Sequence, residues 1–270
     1  MKKLLLVLAG TVLLALLTVP SAAPDTGSGT DGIVLTPDPL ALDPAAPMNA
    51  QCNGTLTPGT YHDVTIPPHG SCTMFNSHVT GNITGQADST LRANLVTVDG
   101  NLTMQNANSL HLDTTNRVGN DLTVNGLTVF GRICDTFVGG NLTVTQLATS
   151  AFIAVGDTSC RRFSDTVVGD VRLDNNAGFV IAQFLGSLPP AGFTPCTDQY
   201  GAAFAGHDLS VTGNTGRVVL NSTNICHDLT VSGNSGRNAV GHNTAGHDAT
   251  CSNNSPFVGG NLAAHDNNGC

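Results

Sequence analysis

A phrase of about twenty residues recurs along this chain and constrains its fold more than any other feature. His207-Asp208-Leu209-Ser210-Val211-Thr212-Gly213-Asn214-Thr215-Gly216-Arg217 is followed twenty residues later by His227-Asp228-Leu229-Thr230-Val231-Ser232-Gly233-Asn234-Ser235-Gly236-Arg237. Looser versions begin at Val79, Val98, Val118, Val138, Val167, Ala205, Ile225, Ala245 and Val258, centred on Ile83, Leu102, Leu122, Leu142, Val171, Leu209, Leu229, Ala249 and Leu262. The steps between these centres are 19, 20, 20, 29, 38, 20, 20 and 13 residues. A fixed period near twenty is the signature of a solenoid. The steps of 29 and 38 read as one coil with an insertion, or nearly two coils in the second case.

Within a phrase, Leu142 and Val144 are apolar while Asn141 and Thr143 are polar, the period of two that a half-buried strand requires. A second apolar stretch follows about ten residues later, at Leu110 and Leu112, at Phe152 and Ile153, at Val218–Leu220 and at Val240. Turn formers such as Gly213-Asn214 and Asn221-Ser222-Thr223-Asn224 separate the two. Each repeat therefore reads as strand, turn, strand, turn. One such unit cannot bury its apolar face alone, but coils stacked at ~4.8 Å satisfy one another's backbone groups and enclose a continuous core. The expected fold is all-β, a single-stranded parallel β-helix over residues 51–270, with about ten coils in a rod of roughly 50 Å. Its open ends would be unpaired edges that need covering.

The phrases resemble those of secreted bacterial parallel β-helix proteins. Their V-x-G-N-L-T-V form over residues 79–262 is also similar to that of bactofilins, from whose shorter period this chain departs. The resemblance is one of architecture, implies a right-handed coil and brings no family-specific site.

Lys2 and Lys3 precede an apolar run from Leu4 to Val19, followed by Pro20, Ser21, Ala22 and Ala23. This pattern predicts a secretory signal peptide over residues 1–23, the run being shorter than the ~20 apolar residues a membrane span needs. Residues 24–50 carry Pro24, Pro37, Pro39, Pro44 and Pro47 among Gly, Asp and Thr, the composition of a flexible tether. The G-x-G-x-x-G match at Gly27–Gly32 lies inside it, with no strand before and no helix after, and so is no dinucleotide site.

All eight cysteines lie beyond the signal, at 52, 72, 134, 160, 196, 226, 251 and 270, with none of the CxxC spacing that zinc favours. An even set in an exported chain reads as disulfides. Four bridges allow 105 pairings. The successive separations of 20, 26, 30 and 19 favour Cys52–Cys72, Cys134–Cys160, Cys196–Cys226 and Cys251–Cys270, with the first and last at the two ends.

The chain has no Glu and no Trp, and loses its only lysines with the signal, leaving 19 Asp against 8 Arg, a net of 11 negative charges. Such a surface repels phosphate backbones, so nucleic acid is excluded as a partner. The missing Glu and Lys also remove the residues that favour helices.

Stacked at a twenty-residue pitch, His207, His227 and His247 with Asp208, Asp228 and Asp248, continued by His265 and Asp266, are the candidate ligands of a weakly held divalent metal. The plainer reading is a solvated turn, because Gly81, Gly100, Asn120, Gly140, Gly169 and Gly260 align with the histidines. Asn82, Asn101, Asp121, Asn141, Asp170, Asp208, Asp228, Asp248 and Asn261 align in a second column, expected to hydrogen-bond coil to coil as amide ladders do. No calcium-binding β-roll repeat or EF-hand loop is present. Thr84, Thr103, Thr123, Thr143, Ser210, Thr230 and Thr250 form an outward hydroxyl row, of the kind that binds ice or flat carbohydrate but that cross-strand pairing also explains. Sequons at Asn53, Asn82, Asn101, Asn141 and Asn221 follow from the repeat.

No catalytic residue is assigned. There is no nucleophile elbow, zincin helix or P-loop, and no cysteine is left over from the bridges. Arg161-Arg162 could face an anionic sugar but reads as a solvated loop. The expectation is a secreted, non-catalytic scaffold with a cell-wall or extracellular polysaccharide, or another protein, as its partner and no transmembrane segment after signal cleavage. The rival reading is an extracellular polysaccharide lyase or glycoside hydrolase.

Overall fold

In register, Leu122 lies between Leu102 and Leu142, and every centre of the repeat up to Ala249 stacks on the next in the same way. Val64, Ile83, Leu102, Leu122, Leu142, Val171, Leu209, Leu229 and Ala249 form one row of nine rungs joined by parallel pairing. Each is buried, since each points inward from a strand whose alternate residues face solvent. This is a β-solenoid of twenty-residue turns, read from a computed structural model that describes residues 47–156, 160, 165–183 and 204–270. The expected signal segment and most of the tether lie outside the described residues. Met48–Gln51 pairs in parallel with Thr60–Ile66, so the first strand falls within the stretch read as tether.

From Leu102 onward each coil has three strands rather than the two expected, whereas in the two preceding coils one nine-residue strand, Ser71–Val79 or Thr90–Val98, spans the second and third positions. The first runs as Leu102–Gln105, Leu122–Asn125 and Leu142–Thr145, and the second as Ser109–Leu112, Phe130–Ile133 and Phe152–Val155. The third is only two or three residues long, as in Asn116–Val118, Thr136–Val138 and Asn224–Ile225. Too short to show a period of two, it holds the apolar residue that opens each phrase: Val118, Val138, Val167, Ala205, Ile225 and Ala245 are all buried.

The turn after the first strand is left-handed in successive coils, at Asn106, Gly126, Gln146, Asn175, Gly213, Gly233 and Asn253. Only Gly and short polar side chains adopt that conformation readily, which accounts for the recurring Gly-Asn. Behind the turn, the corner is apolar in the N-terminal coils, where Ala107, Leu127 and Leu147 are buried. It becomes a buried amide ladder at Asn176, Asn214 and Asn234, each donating its backbone N–H and Nδ2–H to Oδ1 of the next asparagine and a further Nδ2–H to a backbone carbonyl. These are interior residues, not loop surface.

Both irregular steps are single coils with insertions, because Leu142 pairs with Val171 and Val171 with Leu209. The last phrase is out of place. Leu262 pairs with Thr244 and is 65% exposed, while Asn267 takes the position beyond Ala249. Gly260 accordingly lies beside His242 in the second turn, and Asn261 accepts from buried Asn243, so neither belongs to the columns in which the sequence placed it.

Cys52–Cys72, Cys134–Cys160 and Cys251–Cys270 are disulfides. Cys226 is also disulfide-bonded, and Cys196, its expected partner, lies outside the described residues. Such bridges fit an oxidising, extracellular-type environment. Among the described residues no helix is long and apolar enough to cross a membrane.

Candidate functional site

The corner that leads from the third strand into the first carries both aligned polar columns. Its inner part is an uninterrupted ladder, in which the backbone N–H of each residue donates to the side-chain Oδ1 of its counterpart one coil earlier. Asn82 donates to Asp63 at 2.7 Å, Asn101 to Asn82 at 2.9 Å, Asp121 to Asn101 at 3.1 Å, Asn141 to Asp121 at 2.8 Å and Asp170 to Asn141 at 2.9 Å. Asp208, Asp228, Asp248 and Asp266 continue it on Asp170, Asp208, Asp228 and Asp248. The ladder thus begins at Asp63, before the first recognisable phrase, and ends at Asp266.

Where an asparagine follows another rung, its Nδ2–H adds a second bond to the same oxygen, as Asn82 does to Asp63 and Asn141 to Asp121. An aspartate has no such donor. Four rungs place aspartate directly on aspartate, at Asp208, Asp228, Asp248 and Asp266, and each is preceded by a histidine: His207, His227, His247 and His265. Asp121 and Asp170, which follow asparagines, are preceded by Asn120 and Gly169. In three of the four histidine rungs the imidazole supplies the missing donor across the coils. Nδ1 of His207 lies 2.9 Å from Asp170 Oδ1, that of His227 2.8 Å from Asp208 Oδ1, and that of His247 2.9 Å from Asp228 Oδ1. The carboxylate of the same coil stands behind each Nδ1 at 3.7, 3.4 and 3.3 Å. Two acceptors facing one ring nitrogen assign Nδ1 as the protonated one.

Partial burial on its own would raise the Asp170 and Asp228 carboxyls. Hydrogen bonds from the histidines and the next amide, with the nearby imidazoles, override it and hold both below the ordinary value of 3.8. The imidazoles stack in parallel, His207 on His227 at 5.2 Å and 12°, His227 on His247 at 4.9 Å and 6°, and a more tilted His265 follows His247 at 4.5 Å and 35°. The structure places the six candidate residues on one corner, and Asp170 joins them there. Among the described residues, three groups hold ligand atoms within 4.8 Å of one another: His227, Asp228 and His247; His247, Asp248 and His265; Asp170, His207 and Asp208.

No protein-family model, curated protein or solved structure matches this chain. The chemistry of the corner accordingly rests on its own residues.

Next to the ladder the hydroxyl row lies in register, Thr103, Thr123, Thr143, Arg172, Ser210 and Thr230, with an arginine in place of one threonine. Arg172 reaches Asp170 at 3.4 Å. A recess of about 310 Å³ opens here, lined by Asp170, Arg172, Asp174, Asp208, Ser210 and Asp228 among others. Asp174 is itself engaged, accepting from Ser210 Oγ at 3.1 Å and from Thr212 N–H at 3.0 Å and Oγ1 at 2.8 Å. Arg161 and Arg162 lie outside the described residues.

Sequence reasoning missed a row on the second strands, where Phe130, Phe152 and Phe179 stack at 5.6 and 5.3 Å. His111 lies against one end of the row and the Arg217 guanidinium over the other. The three phenylalanines are separated by 22 and 27 residues, away from the twenty-residue period, so only the strand register reveals them.

Proposed function

We infer that this chain is an exported, non-catalytic structural or binding scaffold of a cell surface or extracellular space, with an extracellular polysaccharide or another protein as its partner. The observation that carries the reading is the closure of the polar columns on themselves: each ladder carboxylate or amide is hydrogen-bonded to the next coil. A row engaged in this way stiffens a rod and presents a regular face. The predicted leader at residues 1–23 supports export, as do the disulfides, and the V-x-G-N-L-T-V phrase is of a kind with bactofilin-type scaffolds.

The rival, a polysaccharide lyase or glycoside hydrolase, would work at the recess where Arg172 stands among carboxylates. Hydrolysis needs one carboxyl kept protonated as the acid. Asp170 and Asp228 are shifted the other way. Incubating the mature protein with a panel of neutral and acidic polysaccharides, assaying both co-sedimentation and new chain ends, tests the reading. Binding without new ends is expected. New reducing or unsaturated ends that disappear in Arg172→Ala would replace it with the rival.

A further inference from the structure

The outer edge of the histidine row takes no part in the ladder. Nδ1 of His207, His227 and His247 faces carboxylates, whereas Nε2 of these rings has no hydrogen-bond partner among the described residues. An imidazole that donates through Nδ1 carries its lone pair on Nε2. A carboxylate behind Nδ1 is also the arrangement that fixes the tautomer and orientation of metal-bound histidines. Here the carboxylates set the tautomer, and the stacked rings bring successive Nε2 atoms to the same edge.

We propose that Nε2 of His227 and of His247, backed by Asp208 and Asp228, form a site for a borderline divalent transition ion such as nickel, zinc or copper, with His207 and His265 extending the row. Imidazole nitrogen suits these ions, whereas calcium and magnesium take oxygen. Oδ1 of Asp208 and of Asp228 each already accepts a backbone amide and an imidazole, which leaves Nε2 as the unengaged nitrogen of this corner.

The ring centroids of His227 and His247 stand 4.9 Å apart and 6° from parallel, so their Nε2 lone pairs point the same way, side by side. Metal–nitrogen bonds of ~2.1 Å require the two half-exposed side chains to turn toward one another about the ion, a rearrangement that weakens the site. Two protein ligands leave the remaining positions to water, which makes the site a weak one, with a dissociation constant on the order of micromolar. Asparagine at these two positions removes the imidazole nitrogens while keeping a side-chain N–H that can donate to the ladder carboxylates.

The test uses the disulfide-bonded mature chain titrated by calorimetry with nickel, zinc or calcium chloride alone. Nickel and zinc should bind with micromolar-order affinity and calcium should not. The double variant His227→Asn, His247→Asn should bind at least tenfold more weakly while still unfolding in one cooperative transition. On the unaltered protein, zinc should move the ¹⁵N resonances of Nε2 and leave those of Nδ1 nearly in place. Absence of binding up to millimolar nickel and zinc, undiminished binding in the double variant, calcium binding as tight as nickel, or shifts centred on Nδ1 would each overturn the proposal.

Discussion

Nδ1 of His227 lies 2.8 Å from Oδ1 of Asp208, a residue 19 positions earlier in the chain and one coil away in space. The same oxygen accepts the Asp228 backbone N–H at 3.1 Å, so the histidine takes the place that an asparagine Nδ2–H fills in the N-terminal coils. Stacked carboxylates and the preceding histidine are thus one device, and their effects on stability should be coupled. His227→Gly beside Asp228 leaves two stacked carboxylates without the bridging donor. In an Asp228→Asn background the new Nδ2–H should bond Asp208, as Asn141 behind Gly140 bonds Asp121. The glycine substitution should therefore cost less in the Asp228→Asn background, by about 0.5–1 kcal/mol, a size limited by the exposure of the pair. A thermal-denaturation cycle measures this directly, and equal costs in the two backgrounds would show the histidine to be a bystander.

Acid should act on the ladder in a defined window. Asp63 is held below 3.8 chiefly by the Asn82 amide, and Asp170 and Asp228 are held there by histidine and amide donors against the opposing effect of partial burial. For a carboxyl lowered in the folded state, the unfolded chain takes up protons first as pH falls. The stabilisation is therefore complete well above 3.8 and disappears as pH drops below it toward the folded values. His111 has a separate window. Its burial against Phe130, and then the neighbouring charge of Arg92, lower it from 6.5, so stability should already decline as pH falls through 6.5. Melting temperature against pH should show two descents. His111→Phe should erase the upper one and Asp228→Asn should shallow the lower one.

The rows built from long phrases were legible in the sequence because Leu122, Asp121 and Thr123 repeat with both their spacing and their alternation intact. The third strand was not, because two residues such as Asn224 and Ile225 carry no periodicity of their own. The buried amide corner was hidden for another reason. Gly213-Asn214 has the composition of an exposed turn, and only the stack shows that Gly213 makes the turn while Asn214 points inward. At the candidate site, His207, His227 and His247 were visible as a column, but why they occur there depends on which rungs stack aspartate on aspartate.

Register gives a paired prediction on two leucines. Leu229 is fully buried between Leu209 and Ala249, and Leu262 is exposed although its phrase looks the same. Leu229→Ala should cost about 2–5 kcal/mol, and Leu229→Asp should abolish folding of the coils around it, an unpaired buried carboxylate being far worse than a cavity. Leu262→Asp should change stability by less than about 0.5 kcal/mol. Expression level and melting temperature of the three variants check this, and a large loss in Leu262→Asp would return the last phrase to the core row.

The amide corner should be intolerant of the very residue that fills the same corner elsewhere. Leu147 and Asn176 are neighbours in one column, and Leu147 is buried without strain on any polar group because its backbone N–H reaches Asn176 Oδ1 at 3.1 Å. Asn234 lies among asparagines: its Oδ1 receives the Asn214 N–H at 3.0 Å and Nδ2–H at 2.8 Å, and its own Nδ2 donates to the Val211 carbonyl at 2.8 Å and to Asn254. Asn234→Leu removes the acceptor for a backbone and a side-chain donor that are both buried. Each donor left unmade costs ~1–3 kcal/mol, more than a buried leucine returns at a site already filled. The variant should lose about 2–5 kcal/mol, and amide hydrogen exchange should accelerate first at Asn214 rather than uniformly along the rod. Replacing Asn176, Asn214, Asn234 and Asn254 together by leucine takes the acceptor from four backbone N–H groups, those of Leu147 and of positions 176, 214 and 234, and should cost more than the single variant. If the single variant is as stable as the parent, the corner is held by shape and not by its amides.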